Sequence, residues 1–265
     1  MSSAAEVLKR SRKIVLKIGS NVLATPDGKL DSSMVDIVVD HALALMQAGK
    51  RVVIVSSGAG VSGSSVMGLG SRLKDLNFQQ ALCAVGQVEL IEAYRKRFAA
   101  EDFLIGQLLL THDDFEASKS ALNIRNMLFT LIDEGVVPIV NENDAVSTDE
   151  ITLGDNDNLA ALTANLWNAH LLVLMSDIDG VYDKDPKECA DAKLIETVTD
   201  LSKLQKNITT GGISTFGTGG MDSKIEAART VDKHGIPTLI VNGKKARILR
   251  DIVEGNETGT VFALR

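Results

Sequence analysis

With only two cysteines in 265 residues, this chain has no disulfide framework, and Cys83 and Cys189 show neither a CxxC pair nor metal-ligand spacing. Two reduced thiols are expected. Proline is also scarce, with four residues, and no Pro-rich linker or low-complexity tract divides the chain. No apolar run approaches the roughly 20 residues that cross a bilayer. The basic start, MSSAAEVLKRSRK, leads into no secretory apolar region, because Lys17 interrupts Ile14 to Ile18. A cytoplasmic protein with no membrane partner is expected. Basic charge is in deficit as well: 28 Lys and Arg against 35 Asp and Glu leave a net charge of −7, which argues against nucleic acid as a partner. The four histidines, His41, His112, His170 and His234, lack ligand spacing and read as structural or surface groups.

What is present is an ordinary globular composition, 45% hydrophobic and 24% charged. At this length one hydrophobic core buries about 75% of the unfolded surface, so one large domain or two closely fused lobes are expected over 1–265. Strand-length apolar runs occur at Lys13 to Ile18, Arg51 to Val55, Phe103 to Leu110, Val136 to Val140, Leu171 to Met175 and Pro237 to Val241. Helical patterns alternate with them at Ser32 to Gln47, Gln79 to Ala99, Ala121 to Glu134, Asn156 to Asn168 and Asp222 to His234. Continuous apolar strands separated by helices predict an α/β fold with a mainly parallel sheet covered on both faces. A soft boundary near Leu171 separates a lobe of about 13–170 from one of about 171–265.

One polar stretch stands out: NENDAVSTDEITLGDNDN, Asn141 to Asn158, which follows a strand where open α/β sheets place their ligand crevices. In so acidic a chain, anion sites must be local exceptions, and three appear. Lys17 closes the first strand beside Gly19, Ser20 and Asn21; a glycine turn and an ammonium suit an anion, the alternative being a lysine that reaches solvent. VIVSSGAGVSG, Val53 to Gly63, contains GxGxxG, but no second strand ending in an acidic residue follows at dinucleotide spacing. It reads instead as a turn offering amides and the Ser56 or Ser57 hydroxyl. In GTGGMDSK, Gly217 to Lys224, Asp222 or Ser223 can cap a helix, and Lys224 in its first turn opposes the helix dipole unless an anion is bound there. A flexible glycine loop is the alternative. The chain lacks GxxxxGK[ST] and the HRD and DFG sets, so phosphoryl transfer would need another architecture.

Taken together, VLKIGSNVL, VSSGA, AVGQ, GQLLLT, VPIVNENDAV, GDNDN, SDIDGVYDKDP, GTGGMDSK and ETGTVF resemble the amino acid kinase family over nearly the whole chain. NENDAV followed by GDNDN is similar to its glutamate kinase branch. The resemblance implies a three-layer sandwich and transfer of the γ-phosphoryl group of ATP, with Mg²⁺ on the nucleotide, to the side-chain carboxylate of L-glutamate, the first step of proline biosynthesis. It assigns Lys17 and Lys224 as catalytic ammoniums ordered by Asp157. It assigns Ser57, Gly58, Ala59, Asp144, Asp155 and Asn156 to the amino acid, in the N-terminal lobe, with Asp144 or Asp155 pairing its ammonium and the Asn156 amide donating to a carboxylate. Lys17, Gly19, Ser176, Asp177, Thr218, Gly219, Gly220, Met221, Asp222, Ser223 and Lys224 are assigned to ATP, largely in the C-terminal lobe, with Tyr182 near the base or simply packed in its turn. No protein-bound metal is implied. A homodimer or tetramer, feedback inhibition by L-proline and a γ-glutamyl phosphate reductase as a partner are further implications.

Asn21, Gly60 and Ser223 depart from the family pattern, and the chain ends at Arg265 without the C-terminal RNA-modification-type domain of many bacterial relatives. An aspartokinase, N-acetylglutamate kinase or uridylate kinase, a non-catalytic amino acid sensor of the same fold, and a nicotinamide oxidoreductase remain as other readings.

Overall fold

The computed structural model describes residues 3–68, 75–148, 156–184, 186, 189, 191–201, 204 and 220–264. Its strands are β1 (Lys13–Ile18), β2 (Arg51–Ser56), β3 (Ile105–Leu110), β4 (Val137–Glu142), β5 (Leu171–Ser176), β6 (Thr197–Val198), β7 (Thr238–Asn242) and β8 (Thr260–Phe262). They form one sheet in the order β3-β4-β2-β1-β5-β7-β8-β6, parallel throughout except where β8 runs against β7. The helices are α1 (Ala4–Arg10), α2 (Ser20–Leu23), α3 (Ser32–Gln47), α4 (Ala59–Met67), α5 (Leu76–Ala99), α6 (His112–Glu116), α7 (Ser118–Asp133), α8 (Asn156–Trp167), α9 (Met221–Asp232) and α10 (Ile248–Glu254).

The layers follow from the two-residue period of a strand. In β1, Ile14, Leu16 and Ile18 join a core with α1, α3, α5 and α10. Val15 faces the opposite core, built from α7, α8 and α9. Strands buried on both sides have no polar alternation, which is why β1, β2, β5 and β7 read as continuous apolar runs. Helix spacing does the complementary work: Met34, Val35, Val38, Val39, Ala42 and Leu45 form one buried stripe on α3, whose start is capped by the Asp31 carboxylate accepting from the amides of Ser33 and Met34.

Several elements escaped the periodicity. The Val53 to Gly63 segment is a strand, a turn and then helix α4, whose sequence AGVSGSSVM carries two glycines and three serines and has little intrinsic helix propensity. Packing supplies what propensity lacks. A methyl group at Gly63 would lie 1.9 Å from the Leu82 carbonyl oxygen, and one at Gly86 would lie 1.8 Å from that of Ala59. The α4 and α5 backbones therefore meet through this glycine pair, so the last glycine of GxGxxG is a packing residue and holds no nucleotide.

His41 is buried in α3 and sits 3.2 Å, through Nε2, from the carbonyl oxygen of Lys245, so Nε2 carries the proton of the neutral ring. Burial pushes its pKa from 6.5 to about 4, against opposing contributions from that carbonyl, Asp40 and Asp251. The unfolded chain takes up this proton near pH 6.5 and the folded chain resists it until about pH 4. The contribution to stability is complete above pH 6.5 and is lost on acidification, up to about 3 kcal/mol by pH 4. Denaturant unfolding at pH 7 and pH 4.5 should register this loss, and His41→Gln should flatten the slope; an unchanged slope in the variant assigns the acid sensitivity to other groups.

Candidate active site

The order of chain passage through the sheet reverses at β1, with β2 and then β4 on one side and β5 on the other. At such a reversal the loops leaving the carboxyl ends of neighbouring strands diverge, which is where open α/β sheets place a ligand crevice. Lys17 is the penultimate residue of β1 and, sharing the Val15 side, is directed at α8 rather than at the α3 layer. It is 5% exposed and would be costly there alone.

Its partner is Asp157, in the first turn of α8 and fully buried. Lys17 Nζ lies 2.7 Å from Asp157 Oδ1, and Lys224 Nζ lies 3.1 Å from Oδ2. Ser223 Oγ donates to the same Oδ2 at 2.7 Å and stands 2.8 Å from the Gly220 carbonyl oxygen. Burial alone would raise the Asp157 carboxyl, but the Lys17 and Lys224 ammoniums outweigh it and hold the group below the usual carboxylate range. Lys224 moves the other way for its type: burial pushes it below the ordinary lysine range, Asp157 opposes the shift and Lys17 adds to it. Two ammoniums therefore converge on one fully buried carboxylate, with Asp177 also acting on Lys224. The arrangement is poised to receive an anion.

The opposite wall carries a chain of amide hydrogen bonds. Glu142 N and Asn156 Nδ2 both donate to Asn141 Oδ1 at 2.9 Å, Asn141 Nδ2 donates to Gln87 Oε1 at 2.7 Å, and Asn156 Nδ2 also donates to Ser57 Oγ at 2.9 Å. Ser57 leaves β2 through an amide bonded to the Ile18 carbonyl at 3.0 Å, and Gly58 follows with φ 111°, a left-handed conformation that lets the chain turn straight into α4 at Ala59. Asp144 is buried beside this wall, its backbone carbonyl held by Gln80 Nε2 at 2.9 Å.

On the β5 side, Ser176 Oγ donates to Asp177 Oδ1 at 3.2 Å, and Asn21 Nδ2 reaches Asp177 Oδ2 at 3.4 Å. The Gly19 amide bonds the Met175 carbonyl at 3.1 Å, and a methyl on Gly19 would lie 3.3 Å from that oxygen. Gly220 forms the N-cap of α9, with Met221 half-buried and Asp222 exposed.

The expected residues Lys17, Asp157 and Lys224 are thus in direct contact, and Ser57 and Asn156 are bonded to each other. Asp155, Thr218 and Gly219 lie outside the described residues. Three expectations change. Neither Asp222 nor Ser223 caps α9; Gly220 does so without a side chain, because the Ser223 hydroxyl is committed to Asp157. Ser56 is unavailable to a ligand, being fully buried with its hydroxyl on the Ser57 carbonyl and 2.9 Å from Tyr94 Oη. The Asn156 amide does not donate to a carboxylate, since its two N–H groups go to Ser57 and Asn141.

Sequence reading also missed residues. Asn141 and Glu142 are strand, not loop, and Gln87 enters from α5 with only the motif AVGQ to signal it. A polar cluster at the ends of β5 and β7 went unnoticed: Asp179 receives Lys245 Nζ at 3.0 Å, Asn242 Nδ2 at 3.1 Å and the Tyr182 hydroxyl at 3.2 Å. Tyr182 is therefore oriented by its hydroxyl. Among the described residues, the grouping able to hold a metal ion is His112, Asp113 and Glu116 on the short helix α6, so no such grouping surrounds the two lysines. No described helix is long and apolar enough to cross a membrane.

The model of the amino acid kinase family matches residues 12–242. Glutamate 5-kinase of Alkaliphilus metalliredigens is 52% identical over 257 residues, covering 97% of each chain. Glutamate 5-kinase of Alkaliphilus oremlandii is 50% identical over 257 residues, covering 97% of this chain and 98% of that one. Among solved structures, UMP kinase from Ureaplasma parvum superposes with a TM-score of 0.64 at 20% identity, covering 96% of this chain and 99% of the other. That likeness is one of fold.

Proposed function

Because the chain belongs to the amino acid kinase family, we propose that it is an ATP-dependent enzyme that phosphorylates the side-chain carboxylate of L-glutamate, giving γ-glutamyl phosphate and ADP. The observation that carries the reading is the buried pair of ammoniums at Lys17 and Lys224 sharing the single carboxylate of Asp157. A glutamate side chain with a pKa near 4.3 is already ionised at neutral pH, so the acceptor needs no general base. Its carboxylate oxygen forms a bond to the γ-phosphorus while the bond from that phosphorus to the β,γ-bridging oxygen breaks, and ADP departs with the electron pair.

The protein's task is to let one anion approach another. Lys17 and Lys224 neutralise the charge spread over the transferring group, and Asp157 holds both ammoniums in place. The oxygens of Asp157 meet Lys17, Lys224 and Ser223, which supports a role in ordering the ammoniums, and in this reading the nucleotide is the substrate as its magnesium complex. In this assignment Ser57, Gly58, Ala59, Asp144, Asp155 and Asn156 line the amino acid, in a lobe of about 13–170. Gly19, Ser176, Asp177 and the run from Thr218 to Ser223 line ATP, with the lobe of about 171–265 supplying most of that half.

Cytoplasmic location, assembly as a homodimer or tetramer, feedback inhibition by L-proline and delivery of the acyl phosphate to a reductase are inferred from the relatives alone. The decisive experiment offers Mg-ATP with L-glutamate, L-aspartate, N-acetylglutamate or UMP, measures ADP release and traps acyl phosphate with hydroxylamine. Glutamate should give release and hydroxamate far above the others. Preference for aspartate, N-acetylglutamate or UMP moves the chain to another branch of the family, and binding of glutamate without turnover makes it a sensor.

A further inference from the structure

Four hydrogen bonds fix the direction of three side-chain amides in the crevice, and the bond that cannot be reversed comes from the backbone. The Glu142 N–H can only donate, and it donates to Asn141 Oδ1 at 2.9 Å. Asn141 must therefore turn Nδ2 the other way, toward α5, where Gln87 Oε1 accepts at 2.7 Å. Asn156 has to meet Asn141 Oδ1 with an N–H, at 2.9 Å, and the second proton of the same nitrogen reaches Ser57 Oγ at 2.9 Å. Ser57 is consequently an acceptor toward the protein. Its own O–H is left to be directed at a ligand.

We propose that Gln87 is a positioning residue for the amino acid acceptor: by accepting from Asn141 it closes this one-way chain, so that Ser57 presents a proton and not a lone pair to a substrate carboxylate. The inference rests on the glutamate kinase reading above. Gln87 is suited to the task because its neighbour Gly86 holds α5 in backbone contact with α4 at Ala59, which fixes the half-buried Gln87 relative to the Ser57 turn. Without an acceptor at position 87, Asn141 keeps its bond to the Glu142 amide only by burying an unpaired N–H, and the cheaper outcome is rotation that releases Asn156. The effect falls on the acceptor and spares the lysines.

The test is a split between kinetic constants in three variants, with thermal unfolding to confirm that each is folded. Gln87→Met keeps the length of the side chain and removes the acceptor, and Gln87→Lys puts a donor against a donor; each should raise KM for glutamate about 10-fold or more with KM for ATP and kcat changed less than about 2-fold. Gln87→Glu retains an acceptor and should stay within about 3-fold of the wild-type KM for glutamate. Unchanged KM for glutamate in both Gln87→Met and Gln87→Lys overturns the role. So does a parallel rise in KM for ATP, or a Gln87→Glu variant as impaired as Gln87→Met. A wild-type chain that releases no ADP with glutamate overturns the functional reading and this role with it, whereas wild-type turnover with indifferent variants overturns the role alone.

Discussion

Lys17→Met and Lys224→Ala each lower kcat by about 100-fold or more and leave the fold intact. The magnitude follows from what each ammonium does. It is preorganised, nearly excluded from water and aimed at a region where negative charge accumulates, and removal of one such donor in comparable sites costs about 2.7 to 4 kcal/mol of transition-state stabilisation. Structural tolerance follows from the pairing: with either lysine gone, Asp157 keeps its contact with the other. The two substitutions also relieve mutual repulsion between the lysines, which already pushes Lys224 downward alongside the effect of burial. Steady-state kinetics with circular dichroism checks both halves of the expectation. Near wild-type kcat in either variant removes that lysine from the chemistry, and loss of the folded signal shows that it is needed for the fold.

Asp157→Asn has the opposite balance. It removes the buried carboxylate that joins the two ammoniums, and breaking a buried charge cluster from this side costs roughly 3–5 kcal/mol. For a chain of this size that corresponds to a fall in melting temperature of about 10 °C. Bound ATP should recover much of the loss by mass action, since its phosphates take the place of the missing charge, and the rise in melting temperature on adding Mg-ATP should exceed that of the wild type. Equal shifts in the two proteins would show that Asp157 does not offset the lysines. The wild type should reveal the same dependence on acidification. Because the Asp157 carboxyl is held below its unfolded value, its contribution is complete above about pH 4 and disappears as pH falls through the lower, folded value.

Much of this architecture was legible in sequence because the central strands are covered on both faces and helices such as α3 carry a clean apolar stripe. The boundaries of α3 and the core of β1 can be written down from the letters alone. What escaped has physical reasons. β4 runs two residues past Val140, where Asn141 and Glu142 are buried and the Asn141 amide is bonded through both of its polar atoms, whereas a reading by hydropathy stops where polarity begins. α4 depends on a glycine crossing with α5 that lies beyond the reach of local propensity. β6 and β8, of two and three residues, are too short for any period to declare itself.

The site divides along the same line. Lys17 and Lys224 were visible as charges placed where charge is costly, and a costly placement is itself a signal. Gln87, Lys245 and the direction of the Asn156 amide were not visible. They matter through the partner each one faces across the fold, and a single chain of letters carries no record of which groups face each other.

Asn156 and Asp157 are consecutive residues at the head of α8, one bonded to the amides and hydroxyl of the opposite wall, the other to the lysines. Adjacent positions on a helix point about 100° apart, so a single inserted or deleted residue at this point would swing one of them out of its network while leaving the other in place. No compensating change in the loops could restore both. The helix start acts as a jig that sets the angle between the two walls.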